Sequence, residues 1–161
     1  MPDKEILLIL GNQLFPIEYI RKTKVNKIFM AEDFGLTTYH KHHKLKILMF
    51  LWSMRQYRDN LIKNGYTVFY HSIDEESFHD KYEDKLLKII KDHDIERLKY
   101  FEIEDNDFED KILNFINKQN IHKEVIQTPM FLTSRKEFFE FAQEQKKLIR
   151  MASFYQKIRT K

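Results

Sequence analysis

The sequence predicts an α/β fold on a five-stranded, parallel, doubly wound sheet, and three observations carry that expectation. A continuous apolar run, Ile6-Leu-Leu-Ile-Leu10, stops abruptly at Gly11 and a pair of side-chain amides, Asn12 and Gln13. Such a run marks a strand buried on both faces. Short apolar runs then alternate with stripes of helical spacing along the chain. Two of those runs end in acidic pairs, Glu32-Asp33 and Glu104-Asp105. Strand and helix repeated about five times require right-handed crossovers and parallel neighbours with helices on both faces.

The elements follow in order. Ile6–Leu10 is the first strand, and a short helix is expected between Pro16 and Lys27. Ile28–Ala31 forms the second strand. A long, broadly apolar helix runs from Leu45 to Asn64, with Leu48, Leu51, Trp52 and Met54 as its core candidates and Gly65 ending it. Thr67–Tyr70 is the third strand. Phe78, Tyr82, Leu86, Ile89 and Ile90 give the next helical stripe, and Leu98–Ile103 the fourth strand. Asn106 and Glu109 open a helix in a capping-box pattern, with Phe108, Ile112, Phe115 and Ile116 on its inner face. Glu124–Thr128 is the fifth strand, stopped by Pro129. Ser134 and Glu137 form a second capping box, for a last helix running through Phe138, Phe141, Leu148 and Tyr155. The whole reads as a Rossmann-like arrangement, although one sequence does not fix strand order.

Composition narrows the function. A chain of 161 residues with 42% apolar side chains, 14 Phe and 8 Tyr builds one well-buried α/β unit. Lys and Arg number 28 against 25 Asp and Glu, and a net +3 is too weak to argue by itself for nucleic acid. The absence of cysteine removes disulfides, thiolate catalysis and Cys-ligated clusters from these residues. No apolar run reaches membrane-spanning length and no basic segment leads into an apolar signal region, so a soluble, cytoplasmic protein without membrane association is expected.

Four segments hold side chains suited to chemistry. In open α/β sheets, ligands sit beyond the carboxyl ends of the central strands. Gly11, Asn12 and Gln13 after strand one and Glu32 and Asp33 after strand two would face one planar, hydrogen-bonding ligand there; alternatively they only cap turns. Neither Gly-x-Gly-x-x-Gly nor a Gly-x-x-x-x-Gly-Lys loop occurs. Tyr39-His-Lys-His-His-Lys-Leu-Lys46 reads as a basic helix start. Tyr39 and His43 would face the cleft, and the spacing of His40 and His43 is a poor zinc pattern, so no metal is assigned. Met130-Phe-Leu-Thr-Ser134 is an apolar wedge, buried in the core or packed on another domain. The tail from Lys146 to Lys161 carries six basic residues and no acidic one among Leu148, Ile149, Met151, Phe154, Tyr155 and Ile158. That spacing suits a helix that docks on protein, a homodimer through this helix included, more than one that binds phosphate backbones. No catalytic triad or Gly-x-Ser-x-Gly elbow is present, so no catalytic residue is assigned.

Leu8-Ile-Leu-Gly-Asn-Gln-Leu-Phe15, Phe29-Met-Ala-Glu-Asp33, His43-Lys44 leading into Ile47-Leu-Met-Phe-Leu-Trp-Ser-Met-Arg55, and Pro129-Met-Phe-Leu-Thr-Ser-Arg135 together resemble the photolyase-related proteins. This is the bacterial cryptochrome/photolyase branch with an iron–sulfur cluster, whose members include (6-4) photolyases. The resemblance implies a photolyase-type N-terminal antenna-chromophore domain over residues 1–140. Residues 141–161 would then be a C-terminal amphipathic helix that starts the interdomain connection. It implies a ribityl-lumazine antenna chromophore, with Gly11, Asn12, Gln13, Leu14, Glu32, Tyr39 and His43 lining its pocket. Asn12 stands where the family's Gly-Asp-Gln motif has aspartate, and brings an amide without charge. FAD, the iron–sulfur cluster and contact with DNA would belong to a helical domain after Lys161, the chain's implied partner, so no activity is expected of this chain alone. The alternative is a stand-alone nucleotide-binding α/β enzyme or sensor using the same sheet edge.

Overall fold

Five parallel strands make one sheet in the computed structural model, which describes residues 4–38, 40–145 and 148–159. They are β1 (Glu5–Leu8), β2 (Lys27–Ala31), β3 (Thr67–His71), β4 (Arg97–Phe101) and β5 (His122–Ile126), in the spatial order β3-β2-β1-β4-β5. Register pairs Leu8 of β1 with Phe29 of β2 on one side and with Tyr100 of β4 on the other. The chain thus steps outward from β1 through β2 to β3, then returns to the far side of β1 to place β4 and β5. The order reverses between β1 and β4, which opens a crevice at their carboxyl ends.

Helices cover both faces. On one face, α1 (Ile17–Lys22) and α3 (Lys44–Lys63) bring Ile20, Leu51, Met54 and Leu61 onto Leu7, Ile9, Ile28 and Met30. On the other, α4 (Tyr82–Asp92) and α5 (Asn106–Gln119) bring Tyr82, Leu86, Ile90, Ile112 and Phe115 onto Ile6, Leu8, Phe29 and Leu98. Alternate residues of β1 therefore enter opposite cores, and Ile6, Leu7 and Leu8 are wholly buried. Each such side chain contributes about 1.5–3 kcal/mol of burial free energy. A one-turn helix, α2 (Phe34–Thr38), follows β2.

Four helix-to-strand returns lie at the sheet's amino edge, and each passes through a left-handed residue. These are Lys24 (φ 59°) before β2, Gly65 (φ 88°) before β3, Asp94 (φ 49°) before β4 and Asn120 (φ 53°) before β5. A left-handed residue ends a helix by turning the chain off its axis, a conformation that costs most residues with a Cβ and costs Asn and Asp least.

Several local expectations shift. The core candidates on α3 divide: Leu51 and Met54 are buried, whereas Leu48 and Trp52 are 63% and 62% exposed. This helix is apolar nearly all round, so its period does not choose a face. Phe78 belongs to a separate 3-10 turn, Glu76–His79, ahead of α4. The cap of α5 is Asp105, whose side chain accepts from the Phe108 N–H, not Asn106. The fifth strand begins two residues earlier than expected, and its residues His122–Val125 are exposed, so the covering of the sheet stops short of β5.

Residues 1–126 and 127–161 are two compact units. In the second, Ser134 and Glu137 close a full capping box on α6 (Arg135–Glu144). A separate helix, α7 (Met151–Arg159), follows where one continuous helix was expected. Packing is the reason. Phe154 lies 5.1 Å from both Phe138 and Phe141, ring centre to ring centre. Phe141 and Phe154 would stand about 20 Å apart along a straight helix, so the chain breaks its helix to bring them together. Lys157 closes the hairpin with a 2.6 Å bond to Glu144. Among the described residues no helix is long and apolar enough to cross a membrane.

Candidate functional site

The crevice at the carboxyl ends of β1, β2 and β4 encloses a cavity of about 250 Å³. Leu10, Gly11 and Asn12 come from the loop after β1, and Ala31, Glu32 and Asp33 from the end of β2. Ile103 and Asp105 come from the β4–α5 connection, Phe108 from the first turn of α5, and Ile47, Phe50, Leu51 and Met54 from α3. The walls are thus largely apolar. The polar groups divide by depth: Asn12, His42, Lys46 and Asp105 sit where solvent reaches them, whereas Glu32 and Asp33 are buried.

The loop after β1 is a tight turn, closed by the Gln13 N–H donating to the Leu10 carbonyl at 2.9 Å. Gly11 does not have the positive φ that glycine is often chosen for. Its role is steric. A Cβ there would lie 2.6 Å from Phe50 Cζ and 2.7 Å from Met54 Sδ, so any larger residue makes these two side chains of α3 shift. Asn12 Nδ2 donates to Glu104 Oε2 at 3.3 Å, and this exposed residue lines the cavity. Gln13 is wholly buried and does not line the cavity. Its Nε2 donates to the Glu102 carbonyl at 2.9 Å, which ties the β1 loop to the end of β4. Leu14 lines a shallow outer groove with Phe15, Leu45 and Met49.

Glu32 is held by a network the sequence did not reveal. Arg55 of α3 grips it through two bonds, Nε to Oε1 at 2.6 Å and Nη2 to Oε2 at 2.9 Å. Tyr70 Oη donates to Oε1 at 2.6 Å, and the Ile73 N–H to Oε2 at 2.7 Å. Burial pushes this carboxyl upward, but the bonds from Arg55, Tyr70 and Ile73 outweigh it and hold Glu32 below the ordinary carboxylate range. Burial and the bond to Glu32 in turn push the Tyr70 phenol far up, so it stays a donor. Glu32 therefore locks β2, α3 and β3 together at the cavity's edge.

Asp33, the second residue of the acidic pair, is also buried. Lys85 of α4 reaches it with Nζ 3.4 Å from Oδ2. Of the histidines, His43 is the N-cap of α3, its Nδ1 accepting from the Leu45 N–H at 3.2 Å. His42, one residue earlier, is the one that lines the cavity. Tyr39 lies outside the described residues.

The structure thus gathers Gly11, Asn12 and Glu32 around one cavity, and places Gln13, Leu14 and His43 beside it as tie, outer wall and helix cap. Asp33, His42, Lys46, Phe50 and Phe108 share that lining. Lys46, Phe50 and Met54 lie one above another at four-residue spacing on α3.

Residues 7–161 match the family described as deoxyribodipyrimidine photo-lyase-related protein. The chain is also similar to a (6-4) photolyase of Agrobacterium fabrum, 28% identical over 161 residues, an alignment covering 98% of this chain and 31% of that relative. The chain spans about a third of the length of the curated relative it matches.

Proposed function

Since the chain belongs to the deoxyribodipyrimidine photo-lyase-related family, we propose that it is the chromophore-binding, light-harvesting part of a photolyase-related DNA-repair flavoprotein. The observation that carries this reading is the cavity of about 250 Å³ at the strand ends, apolar in its walls and polar at rim and depth. Its volume lies just under the roughly 300–1,000 Å³ of sites for drug-sized ligands, which suits one bicyclic heterocycle with its tail in solvent.

The lining fits a ribityl-lumazine. Leu10, Ala31 and Ile103 come from the strand ends, Phe108 from α5, and Ile47, Leu51 and Met54 from α3, so a flat ring would be sandwiched between apolar surfaces. The Asn12 amide would read the ring edge, and Lys46 and His42, which reach solvent, would meet hydroxyls of the tail. When bound, such a chromophore supplies absorption in the near-ultraviolet and blue. The residues of this chain bind it, orient it and keep water from its faces. Excitation would pass to FAD in a helical partner domain, which would carry the iron–sulfur cluster and the contact with DNA.

Titrating the 161-residue chain with a ribityl-lumazine tests the proposal. Saturable quenching of ligand fluorescence and a rise in Tm are expected. No binding at high micromolar ligand would remove the antenna role, and binding of ATP instead would favour a nucleotide-binding sensor.

A further inference from the structure

A helix that covers a sheet needs one apolar face, and α3 carries two. Ile47, Leu51, Met54 and Leu61 pack in the core. Leu45, Leu48, Met49 and Trp52 are each more than half exposed. Offsets of three, four and seven residues put these four on one side of the helix. The helices on the other face of the sheet differ: α4 exposes Asp84, Lys88 and Lys91, and α5 exposes Asp110, Asn114 and Lys118. The bare stripe on α3 presents on the order of 500 Å², the scale at which a patch on a monomer is functional, against roughly 800 Å² per partner in a standard interface. Beside it runs the outer groove of about 640 Å³, lined by Leu45, Met49 and Phe50 of α3 with Leu14 and Phe15. A ridge of apolar anchors next to a groove is a shape that a helix can fill.

Charge selects the occupant. From Lys41 to Arg58 the chain holds five cations and no carboxylate. Arg55 and Arg58 are engaged by Glu32 and Asp59. Lys41, Lys44 and Lys46, all exposed, gather at the amino-terminal end of the stripe, where the helix dipole adds to their field. A second copy of the chain would bring the same cations to the same stripe with no carboxylate from either helix to meet them. We propose that this face of α3, with its groove, docks an amphipathic helix of a protein partner whose apolar anchors are flanked by Asp and Glu at the end that meets the three lysines. The stripe provides the contact area, and the lysines set the direction in which the partner helix lies. The surface stands whatever the cavity holds, because Leu45, Leu48, Met49 and Trp52 do not line it.

Trp52 is the single tryptophan of the chain and reports on this surface directly. The probe is a displayed library of helical peptides with Leu fixed at i, i+3, i+4 and i+7 and the flanking positions randomised, selected on the 161-residue chain. Selected peptides should carry Asp and Glu clustered at one end, and each should shift Trp52 emission to the blue at saturation. Lys41→Glu with Lys44→Glu should weaken them at least about tenfold and should favour the same peptides remade with Lys in place of Glu. Leu48→Gln with Met49→Gln should abolish binding and leave Tm nearly unchanged, since both positions are exposed. Absence of binders, enrichment without carboxylates, or binding that survives Leu48→Gln with Met49→Gln overturns the proposal. A free chain that sediments as a dimer with Trp52 emission already blue would give the face to a second copy. A shift produced by phosphatidylglycerol vesicles and by no peptide would give it to a membrane surface. Either result overturns the proposal too. The selection and the Trp52 shift are read on the parent chain, so they decide even where a variant fails to fold.

Discussion

Replacing Arg55 by Met removes the grip on Glu32 while keeping most of the aliphatic stem. Two bonds to a buried carboxylate are lost, of 2.6 and 2.9 Å. Bonds to charged groups contribute about 1.5–3 kcal/mol each, and breaking a buried ion pair costs about 3–5 kcal/mol. The Arg55 side chain is 34% exposed and so is partly screened. Tyr70 and the Ile73 N–H still serve Glu32. The loss should therefore fall near 2–3 kcal/mol, a drop of roughly 5–10 °C in Tm for a chain of this size.

The pH dependence separates this account from a simple packing loss. In the parent, the folded-state value of Glu32 lies below its ordinary 4.5. Glu32 thus contributes stability that is present above the ordinary value and lost as pH falls through the depressed one. In the variant, burial is no longer outweighed by the guanidinium, and the carboxyl moves upward, so protonation favours the folded state. The stability gap between parent and variant should be widest near neutral pH and narrow towards about pH 4.5. Urea unfolding followed by far-UV circular dichroism at the two pH values measures it. A gap under about 0.5 kcal/mol at neutral pH, or one of equal size at both, would refute the reasoning.

Other outcomes follow from the same geometry. Gly11→Ala drives a methyl into Phe50 and Met54 and should cost about 1–3 kcal/mol by overpacking, read from urea unfolding, with a weaker lumazine titration. Asn12→Ala removes one long, exposed bond to Glu104; stability should hold within about 0.5 kcal/mol while lumazine affinity falls. Leu48→Gln with Trp52→Gln acts on exposed positions of α3, so Tm should change little, whereas Leu51→Ala should cost about 2–5 kcal/mol. Lys24→Gly relieves a left-handed residue and should raise stability by up to about 1 kcal/mol in the same urea assay.

Much of this arrangement is written locally in the chain. The run Ile6–Leu10 reads as a strand buried on both sides; the strand itself spans Glu5–Leu8, and residues of the run enter two opposed cores. The turn at Gly11 and Asn12 and the acidic pair after β2 lie together at the edge of the sheet where the cavity opens. What escaped depends on partners distant in sequence. Glu32 looks like a ligand contact until Arg55 and Tyr70, 23 and 38 residues later, are seen to occupy it. His42 and His43 differ only in which of them α3 takes as its cap. On α3, apolar residues on nearly every side hid which half faces the core. The break between α6 and α7 has no Pro or Gly to announce it, since it arises from aromatic pairing across the hairpin.

The four left-handed returns have a consequence for how this molecule tolerates change. They sit at one rim of the ribbon stack, and the guest chamber opens at the other. Three of them, Lys24, Asp94 and Asn120, carry side chains where glycine relaxes the backbone. Thermal robustness can therefore be raised from the amino rim without disturbing a single atom that touches the chamber. Substitutions that reshape the cavity at the opposite rim can then draw on that reserve.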